Sequence, residues 1–239
     1  LIFIYMKGLL EGFPYNGIMK QIVVDEAQDY TPLQYFILKT IFKNASFTIL
    51  GDVNQTINPY YKYDTLKKLD KIFTSRTANL RLTKTYRSSK EIIEYTNKIL
   101  NLDFVSAIRN NNDIPVVLKK EKNIKEDLIE NINNLKNKYK SIAVITKNDK
   151  EANKIYNLLK NDLDISLIKT DSNIFDRNLV VVPSYVSKGL EFDSVIIYTE
   201  KDNKYTDDEK YLYYVSCTRC QHELVIYNQE DWLTNKNRL

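Results

Sequence analysis

Glycine is scarce in this chain. Its 239 residues hold five, at positions 8, 12, 17, 51 and 189, and none is followed by Lys-Ser or Lys-Thr. A phosphate-cradling loop needs the pattern G-x-x-x-x-G-K-[ST], so the chain contains no such loop. Cysteine is scarcer still. Cys217 and Cys220 are the whole supply, which excludes a disulfide scaffold. They stand as C-x-x-C with His222 close by, but structural zinc takes four ligands, usually from two such pairs, and there is no second pair. A thioredoxin-like redox motif belongs between a strand and a helix start, whereas this pair lies at a helix end. No uninterrupted apolar run is long enough to span a bilayer, so no membrane partner is expected. The opening LIFIYMKGLL is apolar but short, and it lacks the basic start of a signal peptide. The chain opens on Leu rather than Met, which suggests a piece of a longer protein, and a cytoplasmic location is expected. A large excess of one charge sign is missing too. Thirty-five basic and 31 acidic residues leave a net +4, which permits nucleic-acid contact without arguing for it.

What is present is an ordinary globular balance, 43% hydrophobic and 28% charged, with length for one large domain or two modest ones. Short runs rich in Val and Ile read as strands at 22–24, 47–50, 80–82, 116–118, 142–146, 165–168, 179–182, 195–198 and 224–227. Continuous apolar runs of this kind suit strands covered on both faces. Amphipathic stretches between them read as helices at 32–42, 64–72, 88–100, 124–135, 150–159 and 207–218. The alternation predicts an α/β fold with a largely parallel sheet. A domain boundary is expected near Asn79.

Five polar clusters punctuate this pattern. QIVVDEAQDY places Asp25 and Glu26 at the end of an apolar strand, where open α/β sheets bind ligands. One acid can hold Mg²⁺, a cation that prefers oxygen ligands, and the other can orient water for attack on phosphorus. ILGDVNQTI repeats the arrangement with Gly51, Asp52 and Gln55, whose amide can donate to a phosphate oxygen. TYRSSKEI sets Arg87 before a capped helix, where a planar guanidinium can reach a phosphate. VVPSYVSKGLEFDSVII holds Lys188, Gly189 and Glu191 in a polar loop longer than a hairpin needs. YYVSCTRCQHELVIY puts Arg219 between a helix and a strand. Each cluster alone also admits a plain structural reading, as a strand end, turn or surface cation.

Together, DEAQD, GDVNQTI, TYRSSKEI, SKGLEF and YVSCTR resemble, in order, motifs II to VI of superfamily 1A helicases, the UvrD/Rep group. The match runs from Gln21 to Tyr227. It implies RecA-like parallel sheets with flanking helices: residues 1–79 as the C-terminal part of a first RecA-like domain and 80–239 as the second. It implies ATP and Mg²⁺ as cofactors and single-stranded or duplex DNA as partner. Asp25 would coordinate Mg²⁺, and Glu26 would act as base or water-positioning group. Gln28 joins the nucleotide-binding residues, and Gln55 would couple the γ-phosphate to movement. Arg87 and Arg219 would be arginine fingers, and Glu191 would bind near the ribose and help seat an arginine. Tyr60 falls where the family stacks an aromatic on a base, and Ser184 and Tyr185 stand, after Pro183, where most members place Thr-x-His. The short interval between Arg87 and Glu191 leaves no room for the large inserted subdomain of most members. In that respect the chain looks most like the compact HelD-like, helicase-IV-like branch, which makes RNA polymerase an alternative partner. Because members keep the phosphate loop upstream of DEAQD, the 239 residues by themselves are expected to be inactive. The sequence leaves the oligomeric state open.

Overall fold

The computed structural model describes residues 2–13, 18–58, 61–74, 77–109, 114, 116–170 and 178–229. They belong to two compact units, Leu1–Arg81 and Leu82–Leu239.

In the first unit, β1 (Gln21–Val24) lies parallel to β2 (Ser46–Ile49), with Val24 opposite Ile49. The opening apolar stretch forms a helix, α1 (Ile2–Glu11), at a place where neither strand nor helix was expected. Parallel neighbours need a crossover, and α2 (Pro32–Ile41) supplies it between β1 and β2. Thr31 starts this helix with a capping box: its backbone N–H donates to Gln34 Oε1 at 2.6 Å, and its Oγ1 accepts from Gln34 N–H at 3.4 Å. Pro32 follows at the first helical position, where a missing N–H costs nothing. Val24, Ala27, Tyr35, Tyr63, Leu69 and Phe73 form the core of this unit. Two of its tyrosines pin loop backbone, Tyr35 donating to Ala27 O and Tyr63 to Tyr30 O, each at 2.8 Å. The helix expected at 64–72 is a 3-10 helix, Leu66–Lys71, with the Thr65 hydroxyl accepting from Lys67 N–H at its start.

The second unit opens with β3 (Lys84–Thr85), the helix α3 (Lys90–Leu100) and β4 (Ser106–Ala107), with β4 parallel to β3. The strand expected at 80–82 does not form: Leu80 and Leu82 are 93% and 90% exposed. Pairing begins only where β4 supplies donors, with Ser106 N–H bonded to Thr83 O. A six-stranded sheet follows, from β5 (Val117–Lys119), β6 (Ile142–Thr146), β7 (Ser166–Leu167), β8 (Leu179–Pro183), β9 (Phe192–Tyr198) and β10 (Cys220–Tyr227). Its spatial order is β5-β10-β9-β6-β8-β7, and every neighbouring pair is parallel. The helices are α4 (Ile124–Lys136), α5 (Asp149–Leu159) and α6 (Lys210–Cys217). β6 and β8 are buried along their whole length, as their unbroken apolar runs IAVIT and LVVVP require. Leu128 and Ile132 of α4 and Ile155 and Leu159 of α5 close the core over Val144, Val181 and Ile196.

One connection decides where the sites lie. β8 and β9 are parallel, so residues 184–191 must return from the carboxyl ends of the strands to their amino ends. They do so without a helix. The loop that looked too long for a hairpin is a crossover strap, with Gly189 at φ 82° allowing its last turn.

Candidate functional site

The first unit builds an acidic turn at the carboxyl ends of β1 and β2. Leu50 N–H bonds to Val24 O at 2.8 Å, and Ala27 N–H bonds to Leu50 O at 2.9 Å, so both strand ends are tied together. Glu26 adopts the left-handed conformation, φ 50° and ψ 42°. For a residue with a Cβ, such a conformation costs about 1–3 kcal/mol and persists only where the surroundings impose it. Here Asp25 Oδ1 accepts the Glu26 N–H at 2.8 Å and stabilises the bend. Both carboxylates face solvent, while Ala27 and Gln28 beneath them are buried.

Gln28 joins the two strand ends. Its Nε2 donates to Glu26 Oε2 at 2.5 Å, and its Oε1 accepts the Asp52 N–H at 3.0 Å. Asp52 in turn accepts from Asn54 N–H at 2.9 Å and from Gln55 Nε2 at 3.0 Å, capping the 3-10 turn Val53–Gln55. The result is a continuous relay, Glu26–Gln28–Asp52–Gln55. Gly51 makes room for it: a Cβ there would meet Gln28 Oε1 at 2.6 Å and Ala27 Cβ at 2.9 Å. Among the described residues, no group of three or more His, Cys, Asp or Glu is arranged to hold a metal. Asp25 and Glu26 stand side by side as exposed carboxylates at this turn, and a Mg²⁺ ion, which keeps most of its waters, takes only one or two carboxylates plus phosphate oxygens.

The second unit gathers its cations at the amino ends of β9 and β10. Arg87 Nη2 pairs with Glu191 Oε1 at 2.6 Å. Gln221 Nε2 holds the other Glu191 oxygen at 3.0 Å, and Arg109 Nη1 donates to Arg87 O at 3.0 Å. The segment before α3 is clamped to β10 by Ser88 Oγ on Cys220 O at 2.6 Å and Ser89 N–H on Gln221 O at 3.0 Å. Arg219 is only 2% exposed. Its Nε donates to Val215 O at 3.0 Å, its Nη1 to Leu190 O at 3.4 Å and its Nη2 to Thr218 Oγ1 at 3.1 Å. It therefore ties the end of α6 to the strap beside Glu191.

Ser184 and Tyr185 lie at the other end of the strap, at the carboxyl ends of β6 and β8. Ser184 is buried, its N–H and Oγ both donating to Thr146 O at 2.8 Å. Tyr185 is exposed, and its hydroxyl reaches both oxygens of Asp149, at 3.0 and 2.9 Å. Tyr60 lies outside the described residues. Cys217 and Cys220 are both free and buried, and burial pushes the Cys220 thiol up to about 12 and Cys217 higher still. His222 stacks on Tyr139, with ring centroids 5.7 Å apart.

Asp52, Arg109, Asp149 and Gln221 received no role from the sequence. Asp52 carried a signal, since it follows Gly51 at a strand end as Asp25 follows Val24. The other three act through contacts far away in the chain.

Parts of the chain are similar to known helicases. The UvrD/REP helicase N-terminal domain matches residues 15–64. The ATP-dependent DNA helicase srs2 of Schizosaccharomyces pombe is 34% identical over 88 residues, 36% of this chain and 10% of that protein. An ATP-dependent helicase/nuclease of Oenococcus oeni is 26% identical over 88 residues, 35% of this chain and 7% of that protein. The matched stretch thus takes in a tenth or less of these relatives. Among solved structures, the C-terminal domain of a possible DNA helicase from Lactobacillus plantarum superposes with a TM-score of 0.50 at 28% identity, covering 61% of this chain and 88% of that one. The helicase of PRRSV shares the fold, with a TM-score of 0.50 at 17% identity over 95% of this chain and 38% of its own.

Proposed function

We propose that the chain belongs to the UvrD-type superfamily 1 helicases and forms part of an ATP-dependent DNA helicase or translocase, in which ATP hydrolysis drives movement along a strand. The observation that carries this reading is the relay Glu26–Gln28–Asp52–Gln55. It joins a carboxylate suited to orienting water to an amide suited to sensing a phosphate.

Asp25 would be a ligand of Mg²⁺, which when bound neutralises the charge that develops on the transferred phosphate. Glu26 would accept the proton of the attacking water, its carboxylate held in place by Gln28. Arg87 would stabilise charge on the phosphates, with Glu191 setting where its guanidinium points. Arg219, buried against backbone carbonyls, would act by fixing the strap that carries Glu191. On this reading the exposed Tyr185 faces the nucleic acid, while Ser184, expected beside it, is buried against Thr146 O and only fixes the backbone; DNA is the substrate class named for the srs2 relative. The chain has no phosphate-cradling loop, so these 239 residues alone would turn over no ATP. The test is ATP hydrolysis by the longest natural polypeptide that carries this sequence, with and without single-stranded DNA. Stimulation by DNA is the expected result, and turnover indifferent to DNA contradicts the reading.

A second reading is motivated by the short sequence interval between Arg87 and Glu191, which leaves no room for a large inserted subdomain. There the same ATPase would release RNA polymerase rather than unwind DNA. Co-purification with RNA polymerase, set against strand displacement on a forked duplex, separates the two.

A further inference from the structure

Tyr185 is held in a way that an ordinary surface tyrosine is not. It stands at the carboxyl end of β8, with 39% of its surface exposed. Its backbone is fixed on one side by Ser184, whose N–H and Oγ both donate to Thr146 O at 2.8 Å. It is fixed on the other by Ser187, whose Oγ donates to Ser184 O at 2.7 Å. Its far end is fixed as well, because the phenol hydroxyl is shared between Asp149 Oδ1 and Oδ2 at 3.0 and 2.9 Å. Asp149 opens α5, on the segment that follows the neighbouring strand β6. With both ends anchored, the ring retains little rotational freedom, and part of it faces solvent.

The tether also decides which kind of ligand suits the ring. A tyrosine hydroxyl has one proton to donate, and here it is directed at a carboxylate. Asp149 brings negative charge to that edge, which disfavours a phosphate there. With the hydroxyl engaged, the ring itself is what Tyr185 has left to offer a ligand, and aromatic rings bind bases by stacking, with little dependence on sequence. We propose that Tyr185 is a preset stacking platform for a base of single-stranded nucleic acid, and that Asp149 is the positioning residue that holds the ring in register. This rests on the nucleic-acid reading above and adds to it the mode of contact, stacking on a base, and the residue that orients the ring.

The experiment is titration of the protein with an oligothymidylate carrying one 2-aminopurine, whose fluorescence falls on stacking, together with affinity measured over a range of salt. Tyr185→Ala should weaken binding about 5- to 150-fold, which is the stacking of one base on one aromatic converted at 1.4 kcal/mol per tenfold. It should abolish the quench and leave the salt slope unchanged, since no phosphate contact is lost. Asp149→Ala should weaken binding about 2- to 10-fold by freeing the side chain, with a partial loss of quench. Asp149→Asn, which keeps an acceptor oxygen, should restore most of both. Tyr185→Phe should match Asp149→Ala, and the two together should add nothing further. If the wild type binds and Tyr185→Ala binds equally well, or if that variant flattens the salt slope, the platform is overturned while the helicase reading stands. If the wild type binds no single strand at all, both fall together.

Discussion

Gln28 donates its side-chain amide to Glu26 at 2.5 Å and at its other end accepts the backbone N–H of Asp52 at 3.0 Å. One buried side chain therefore couples the carboxylate at the end of β1 to the cap of the turn that carries Gln55. With neither end of its amide pointing to solvent, Gln28 would serve to position Glu26 in an orientation set by the second strand end.

Gln28→Ala should accordingly lower ATP turnover about 10- to 100-fold while changing the KM for ATP far less. It removes orientation rather than substrate contact, and misplacement of a reacting group by about 1 Å can cost on the order of 10²-fold. Steady-state kinetics on the variant checks this. A rise in KM at unchanged kcat would mean that Gln28 binds nucleotide directly.

Gly51→Ala should reproduce the same defect without touching an acid. The new Cβ would lie 2.6 Å from Gln28 Oε1 and 2.9 Å from Ala27 Cβ, so the amide or the turn must move. Overpacking of this kind costs about 1–3 kcal/mol, readable as a lower thermal midpoint. The double variant Gly51→Ala/Gln28→Ala should be barely slower than either single one.

Glu191→Ala tests whether the ion pair with Arg87 serves stability or placement. Both side chains are about 40% exposed, so the pair contributes only ~0–1 kcal/mol to folding and thermal stability should hardly change. Turnover should nevertheless drop, because Arg87 loses its anchor. Arg87→Ala should drop it further, by about 10³-fold or more if the guanidinium meets the phosphates.

Arg219→Lys should fail as well, but for another reason. Three donors at the fixed angles of a guanidinium meet Val215 O, Leu190 O and Thr218 Oγ1, and an ammonium cannot reproduce that fork. Leaving such groups unsatisfied costs roughly 1–3 kcal/mol each. The expected signature is a lower melting temperature of the second unit alongside the lost activity.

The buried thiols set a pH window. Free cysteine titrates near ~8.5, whereas burial raises Cys220 to about 12. Unfolded chains release the proton first, so the stability contribution is complete below about pH 8.5 and declines as pH rises toward 12. At neutral pH both cysteines should resist alkylation in the folded protein and react on denaturation, which mass spectrometry reads directly.

The strands with unbroken apolar runs were legible because local composition and final burial agree: IAVIT, LVVVP and the end of β10 are all buried on both faces. Leu80–Leu82 differs, because Arg81 interrupts the two leucines, no strand forms over it, and both leucines stay exposed. The acidic turn was legible as Asp25 and Glu26 after β1, since a polar pair closing an apolar run is a local signal. The partners that give it shape were not. Asp52 reaches Gln28 across the sequence interval spanned by α2, and Asp149 reaches Tyr185 across the whole α5–β7–β8 segment. Arg219 shows the limit most plainly, because nothing in YVSCTR says whether its guanidinium faces a ligand or the backbone of α6 and the strap.

The central claim is that Glu26 acts on the water that attacks ATP. The most direct measurement is single-turnover hydrolysis by Glu26→Gln in the longest natural polypeptide that carries this sequence, with nucleotide binding measured in parallel. Binding within a factor of a few of wild type, with hydrolysis slowed about 10²- to 10⁴-fold, is the predicted result. Hydrolysis at the wild-type rate would contradict it.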